Sequence, residues 1–241
     1  MIMKTALLFL KNMFILLMTL LISISLYAQE EEKKSPFSLG TDVVSSYVWR
    51  GTKVGTGPNL QPWMKFVKGG FTLGAWGSTS FHDFGDVAEV DLYASYAFKF
   101  GLSAGLTDYY YQGSPALRYG SDSASHAIEI NLGYTIKSFS IAANYVVNDA
   151  SKGSPANKPG GGDMYFEANY AFKNFGVYMG AGNGWHADDN DDGEDVFGLC
   201  NIGMKASKAI KITDEYSIAL NGALSVNPNR EQLNFVVGIS F

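Results

Sequence analysis

The chain has 241 residues, 18 basic and 23 acidic, with 14% aromatic residues, 27 glycines and a single cysteine. A net charge of −5 argues against nucleic acid as a partner, and the lone Cys200 excludes an internal disulfide framework. Mean hydropathy near zero does not exclude a membrane, because a barrel in lipid turns half of every strand toward water.

Residues 1–28 read as a secretory signal peptide. Lys4 and Lys11 lead into an apolar run from Met13 to Leu26, broken by Thr19, Ser23 and Ser25, and Ala28 offers a cleavage point. The run is short for a spanning helix, and the polar QEEEKKSP that follows suits a flexible segment over residues 29–36. Removing residues 1–28 takes away two basic residues and no acidic one, so the exported part is more negative still.

From residue 37 onward the dominant period is two, the period of a strand. It predicts twelve strands over 37–50, 59–67, 71–80, 88–100, 102–111, 126–137, 139–148, 163–173, 175–186, 196–207, 216–226 and 232–241. In EVDLYASYAFKF, Val90, Leu92, Ala94, Tyr96, Phe98 and Phe100 share one face, against Glu89, Asp91, Tyr93, Ser95 and Lys99. The terminal EQLNFVVGISF alternates as cleanly, with Leu233, Phe235, Val237, Ile239 and Phe241 on one side. Tight turns alternate with longer polar connections such as QGSPALRYGSDSAS and DASKGSPANKPGGG. The pattern predicts an all-β fold, an antiparallel up-and-down transmembrane barrel of about 12 strands spanning 37–241. An even count puts both ends on the short-turn, periplasmic side, with Phe241 a lipid-facing aromatic that assembly machinery can read.

A repeat marks three of the short turns: YAFKFGLS, YTIKSFSI and YAFKNFGV. Tyr96, Tyr134, Tyr170, Phe100, Phe139 and Phe175 are expected to form an inner aromatic girdle, with Trp49 and Trp185 in an outer one. Lys99, Lys137 and Lys173 fall at the periplasmic rim, where solvated charges guard hairpins against mispairing. Asp108 falls on the lipid-facing parity, which predicts a bulge around Thr107–Tyr109 or a rim position.

SSYVWRG (45–51), GAWGS (74–78), EVDLYASY (89–96) and YYYQG (109–113), in this order and followed by a terminal aromatic strand, resemble the exported TorF-type porin family. The resemblance covers nearly the whole exported chain and rests on ordered spacing of short motifs. It implies an outer-membrane barrel with a transport label, and brings no substrate and no catalytic residue.

Function must therefore come from the lumen. Parity assigns Asp42, Arg50, Trp76, Glu89, Asp91, Tyr93, Glu129, Asn131, Asp163, Tyr165, Glu167 and Asn169 to pore-lining positions, together with Trp63, Lys65, Tyr109, Asn144, Tyr178, Lys205, Asn221 and Asn234. Carboxylates gather in the outer half, which predicts a narrow, modestly cation-preferring channel for small hydrophilic solutes. The competing reading is a closed scaffold barrel in which Arg50, Lys65 and Lys205 bridge the carboxylates. A third, an outer-membrane lipid-cleaving enzyme, would use His126 after Ser121, Ser123 and Ser125, or the other rim histidines His82 and His186. The spacing does not favour it, and the protein is expected not to be an enzyme. Asp188, Asn190, Asp192 and Gly193 match the first half of a calcium loop, but Leu199 stands where its closing Glu belongs. No metal site and no cofactor are expected. The expected partners are outer-membrane lipids and lipopolysaccharide, the barrel-assembly machinery and small solutes.

Overall fold

Alternation between apolar and polar residues decides the architecture. A strand that is apolar on one side must find either a core or a lipid-like surroundings for that side, and closing the sheet on itself removes its edges. The structure is a computed structural model; it describes residues 35–55, 57–82, 89–111, 115–119, 125–148, 161–187 and 196–241. The leader segment with Ala28, Ser121, Ser123 and the half-matching calcium loop 188–195 lie outside the described residues.

Residues 37–241 form one unit. Its elements are β1 (Phe37–Val44), β2 (Val48–Trp49), β3 (Thr52–Lys53), β4 (Asn59–Lys68), β5 (Phe71–Ser80), β6 (Glu89–Ala97), β7 (Leu102–Tyr111), β8 (His126–Ile136), β9 (Phe139–Val146), β10 (Met164–Ala171), β11 (Gly176–Gly182), a 3-10 turn (Gly184–His186), β12 (Gly198–Lys211), β13 (Ser217–Asn227) and β14 (Gln232–Ser240). β1 and β4–β14 make a closed twelve-stranded antiparallel barrel in which each strand pairs with its sequence neighbours and β1 meets β14. All twelve expected strands are present. Several are shorter than their parity suggested; β1 stops at Val44 instead of running to residue 50, and β11 stops at Gly182, shortly before the 3-10 turn.

The barrel has a loop end and a turn end. Residues 69–70, 98–101, 137–138, 172–175 and 212–216 connect strands tightly at the turn end, where β1 begins and β14 finishes; the longer connections all lie at the other end. The outer surface is apolar from strand to strand. Leu73, Leu92, Leu106, Leu132, Ile141, Met179, Leu224 and Phe235 all project outward and are exposed. This much exposed apolar surface is a lipid-facing belt, not the surface of a water-soluble barrel. At the turn end Tyr96, Phe100, Tyr134, Phe139, Tyr170 and Phe175 are all exposed, and Phe172 links the last two, with centroids 4.8 Å from Tyr170 and 4.7 Å from Phe175.

Asp108 has no bulge beside it. Its register is continuous on both sides, Leu92↔Asp108 on β6 and Asp108↔Ile128 on β8. It occupies the alternative expected for it, three residues from the loop end of β7, where neighbouring groups cover it. His126 Nδ1 lies 2.8 Å from Asp108 Oδ1, and the Tyr119 hydroxyl donates to Oδ2 at 3.2 Å. A carboxylate so covered need not meet hydrocarbon.

Candidate functional site

The loop after β1 does not stand above the barrel; it folds into it. Val48–Trp49 and Thr52–Lys53 pair as a miniature hairpin, and Arg50 (φ 48°) and Gly51 (φ 84°) form its two-residue tip. Positive φ at both central positions is the requirement of a tight type I′ hairpin turn. The hairpin is closed behind the tip by the Val54 N–H donating to the Tyr47 carbonyl at 2.9 Å.

The tip crosses the lumen. On one wall, the Arg50 guanidinium makes a two-pronged pair with Glu129 of β8, Nη1 at 2.6 Å and Nη2 at 2.8 Å. Glu129 is 1% exposed and also accepts from the Tyr109 hydroxyl at 3.0 Å and from Asn131 Nδ2 at 2.6 Å. On the facing wall, the Gly51 carbonyl accepts from Asn234 Nδ2 at 3.0 Å and Asn227 Nδ2 at 3.4 Å. No side chain fits at Gly51, because a Cβ there would lie 2.0 Å from the Cys200 carbonyl oxygen. Arg230 fastens the return strand, donating to Thr52 Oγ1 at 3.0 Å and to the Trp185 carbonyl at 3.2 Å.

Aromatic rings fill the space around these polar contacts. Trp49 packs 5.5 Å from Tyr109 and 4.4 Å from Trp185, the Arg50 guanidinium lies 4.3 Å from the Trp49 ring and 4.6 Å from Tyr165, and Tyr47 lies 5.4 Å from Trp76. Trp49 and Trp185 are therefore interior, not members of an outer girdle. Parity placed them by extending two strands that in fact end early. His186, fully buried beside them, has its Nε2 3.4 Å from Arg50 Nη1. Burial first, then the charges of Arg50 and Arg230, push this histidine down to about 2, so it accepts from Arg50 as a neutral ring. Arg50 loses hydration on burial, but the Glu129 hydrogen bond and charge more than offset this and hold it firmly protonated.

The expected lining residues divide by depth. Glu89, Asp91, Glu129 and Tyr165 are buried at the hairpin's level, whereas Asp42, Trp76, Tyr93, Asn131, Glu167 and Asn169 are partly accessible. Arg50 lies on the hairpin tip instead of a barrel strand. Asp163 stands just before β10 and braces the 3-10 turn, accepting from the Trp185 N–H at 3.0 Å. Among the described residues, Arg50 reaches a carboxylate and Lys65 and Lys205 do not. Lys65 lies over the Trp63 ring at 4.9 Å and Lys205 over Tyr178 at 5.7 Å. Parity did not single out Asn227, Arg230 or His186 as members of this cluster, because two of them come from loops.

The Ser and His arrangement does not assemble among the described residues. His126 has an orienting carboxylate in Asp108, but its Nε2 faces the Ala116 carbonyl at 3.1 Å. Tyr110 and Tyr119 stack on its two faces at 5.0 and 4.1 Å. Neither ring nitrogen is left to activate a nucleophile.

A closed antiparallel barrel with an apolar exterior and a polar lumen into which a loop folds has the architecture of a transmembrane β-barrel. The chain belongs to the family described as "Bacterial protein of unknown function (Gcw_chp)", whose model matches residues 29–223. No curated protein matches it. Among solved structures, a triple mutant of Rhodopseudomonas blastica porin is 11% identical with TM-score 0.37, over 82% of this chain and 61% of that one. Another triple mutant of the same porin is 10% identical with TM-score 0.37, over 76% and 55%. A double mutant is 9% identical with TM-score 0.39, over 87% and 74%. The chain thus spans little more than half the length of the first two.

Proposed function

We propose that this protein is an outer-membrane, porin-like barrel whose lumen is closed at its outer half by the Tyr47–Lys53 hairpin, and that displacing this stopper opens a narrow channel for small hydrophilic solutes. The observation that carries the reading is the Arg50–Gly51 tip bridging Glu129 on one wall to Asn227 and Asn234 on the other. The apolar belt favours a bilayer, and the loop end would face outward with the turn end in the periplasm. The TorF-type porin resemblance agrees with this role.

The way the stopper is held favours a gate over a permanent plug. Its tip docks through a buried ion pair and hydrogen bonds, and water can replace both in an undocked state. A buried pair adds little net stability relative to apolar packing, although breaking one partner alone is costly. The tip also holds Arg50 at φ 48°, a conformation that a non-glycine residue adopts at a cost of about 1 kcal/mol or more. Once open, Glu89, Asp91 and Glu129 would give the outer mouth a modest cation preference.

Planar-bilayer recording tests the reading. Wild type should be mostly silent with rare openings, and Gly51→Val, which has no room for its side chain against Cys200, should conduct in long steps while keeping heat-modifiable migration on SDS gels. A folded Gly51→Val barrel that never conducts would favour the closed scaffold, the reading supported by the same Arg50–Glu129 bridge taken as a permanent brace.

A further inference from the structure

Beneath the hairpin, toward the turn end, lies a cavity of about 350 Å³, at the small end of the range for ligand pockets. Its lining includes one carboxylate and one ammonium that do not pair with each other, Glu167 and Lys205. Arg50 also borders it but is committed to Glu129.

Glu167 is held by neutral donors on both oxygens: the Tyr165 hydroxyl and Asn201 Nδ2 on Oε2, and Asn169 Nδ2 on Oε1. They fix the carboxylate in place without cancelling its charge. The Lys205 ammonium lies 5.7 Å from the Tyr178 ring centroid, and no carboxylate pairs with it among the described residues. Tyr178 is paired with Gly203 and its ring covers that glycine. The Lys205 side chain lies beside its cross-strand partner Gly176, whereas Glu167 stands level with Gly180 and Asn201, four residues along β12, so the two charges are spaced along the lumen wall. Trp76 and Tyr47 supply an apolar side to the same cavity, and Gln61 an amide.

The fixed carboxylate and the exposed ammonium border one cavity without an ion-pair partner among the described residues, and charge-assisted hydrogen bonds to such groups are the strong kind. We propose that this cavity is a binding site for a short zwitterionic peptide, with its ammonium at Glu167, its carboxylate at Lys205 and its body against Trp76. The proposal deepens the channel reading by naming a solute class, and it rests on that reading only for its biological meaning. The site itself can be tested without conduction.

The test is equilibrium calorimetry on the folded full-length exported chain in detergent micelles, with heat-modifiable migration as the check on folding. Three probes are titrated: dialanine, its C-terminal amide and its N-acetyl form. Dialanine should bind, and each capped form should bind about tenfold more weakly or worse, since each leaves one protein charge unmet. Lys205→Met should remove the advantage of dialanine over its amide, and Glu167→Gln its advantage over the acetylated form. Equal binding of all three probes, no binding of dialanine to the wild type, or tighter binding of the acetylated form, which would mark a plain anion site, overturns the proposal. None of these outcomes bears on whether Gly51→Val conducts.

Discussion

The two halves of the lumen are built from the same twelve strands and differ in what their side chains do. Toward the loop end, Asn59, Gln61, Ser78, Glu89, Asp91, Tyr109, Glu129, Tyr165, Asn201, Ser225, Asn227 and Asn234 are all buried. Toward the turn end, Trp63, Tyr93, Asn169, Tyr178 and Asn221 are partly accessible, and Lys65 and Lys205 are exposed. The turn-end half stays open partly because its rings lie flat on the wall. A Cβ at Gly40 would sit 2.5 Å from the Trp63 ring, and one at Gly74 would sit 2.3 Å from the Tyr93 ring. In the first half the key charge, Glu129, is matched by Arg50; in the second, Glu167 and Lys205 have no ion-pair partner among the described residues. A single barrel can thus carry a sealed half and a receptive half, and one short hairpin makes the boundary.

The largest effect on this contrast should come from Glu129→Ala. It leaves the Arg50 guanidinium buried without its carboxylate, a loss of about 3–5 kcal/mol in hairpin docking. The loop-end half should then become accessible while the turn-end half is unchanged. Faster proteolysis within residues 45–55, with the barrel still heat-modifiable, is the expected result.

Acid should act next. His186 is held neutral in the docked state, with a value of about 2 against an ordinary 6.5. Between these values the undocked state binds a proton that the docked state refuses, so hairpin docking is strongest above about pH 6.5 and weakens as pH falls, by no more than about 1.4 kcal/mol per unit. Channel openings should become more frequent from pH 7 to pH 5, and His186→Gln should flatten that dependence.

The smallest effect concerns selectivity. In a barrel opened by Gly51→Val, adding Asp91→Asn and Glu167→Gln should shift reversal potentials in a salt gradient toward anions. The shift should be clearest at low ionic strength, where screening is weakest. An unchanged reversal potential would end the cation-preference reading and leave the stopper untouched.

The barrel was legible because each strand has one face against lipid, and parity over segments such as 89–97 and 232–240 can have few other causes. The stopper was not. SSYVWRGTK continues the alternation of β1, so reading by parity alone runs straight through the point where the chain turns inward. The available clue was Arg50-Gly51 between the short pairs Val48–Trp49 and Thr52–Lys53, a two-residue turn with glycine at its second position. Parity assigned Glu129 to the lumen, but the route by which Arg50 reaches it could not be read. Arg230 and His186 come from connections whose placement no period encodes. Asp108 conflicted with its parity, and the conflict marked a real feature, a carboxylate covered by His126 and Tyr119.

The most direct measurement is thiol accessibility on the hairpin itself. Thr52 is 4% exposed inside the barrel, and Cys200 is fully buried and should stay silent. In the folded Thr52→Cys protein reconstituted in vesicles, a membrane-impermeant maleimide should label the new thiol only slowly, and adding Glu129→Gln should accelerate labelling toward that of a surface cysteine. Labelling of Thr52→Cys alone as fast as a surface cysteine would show that the hairpin stands outside the lumen, and would contradict the stoppered barrel.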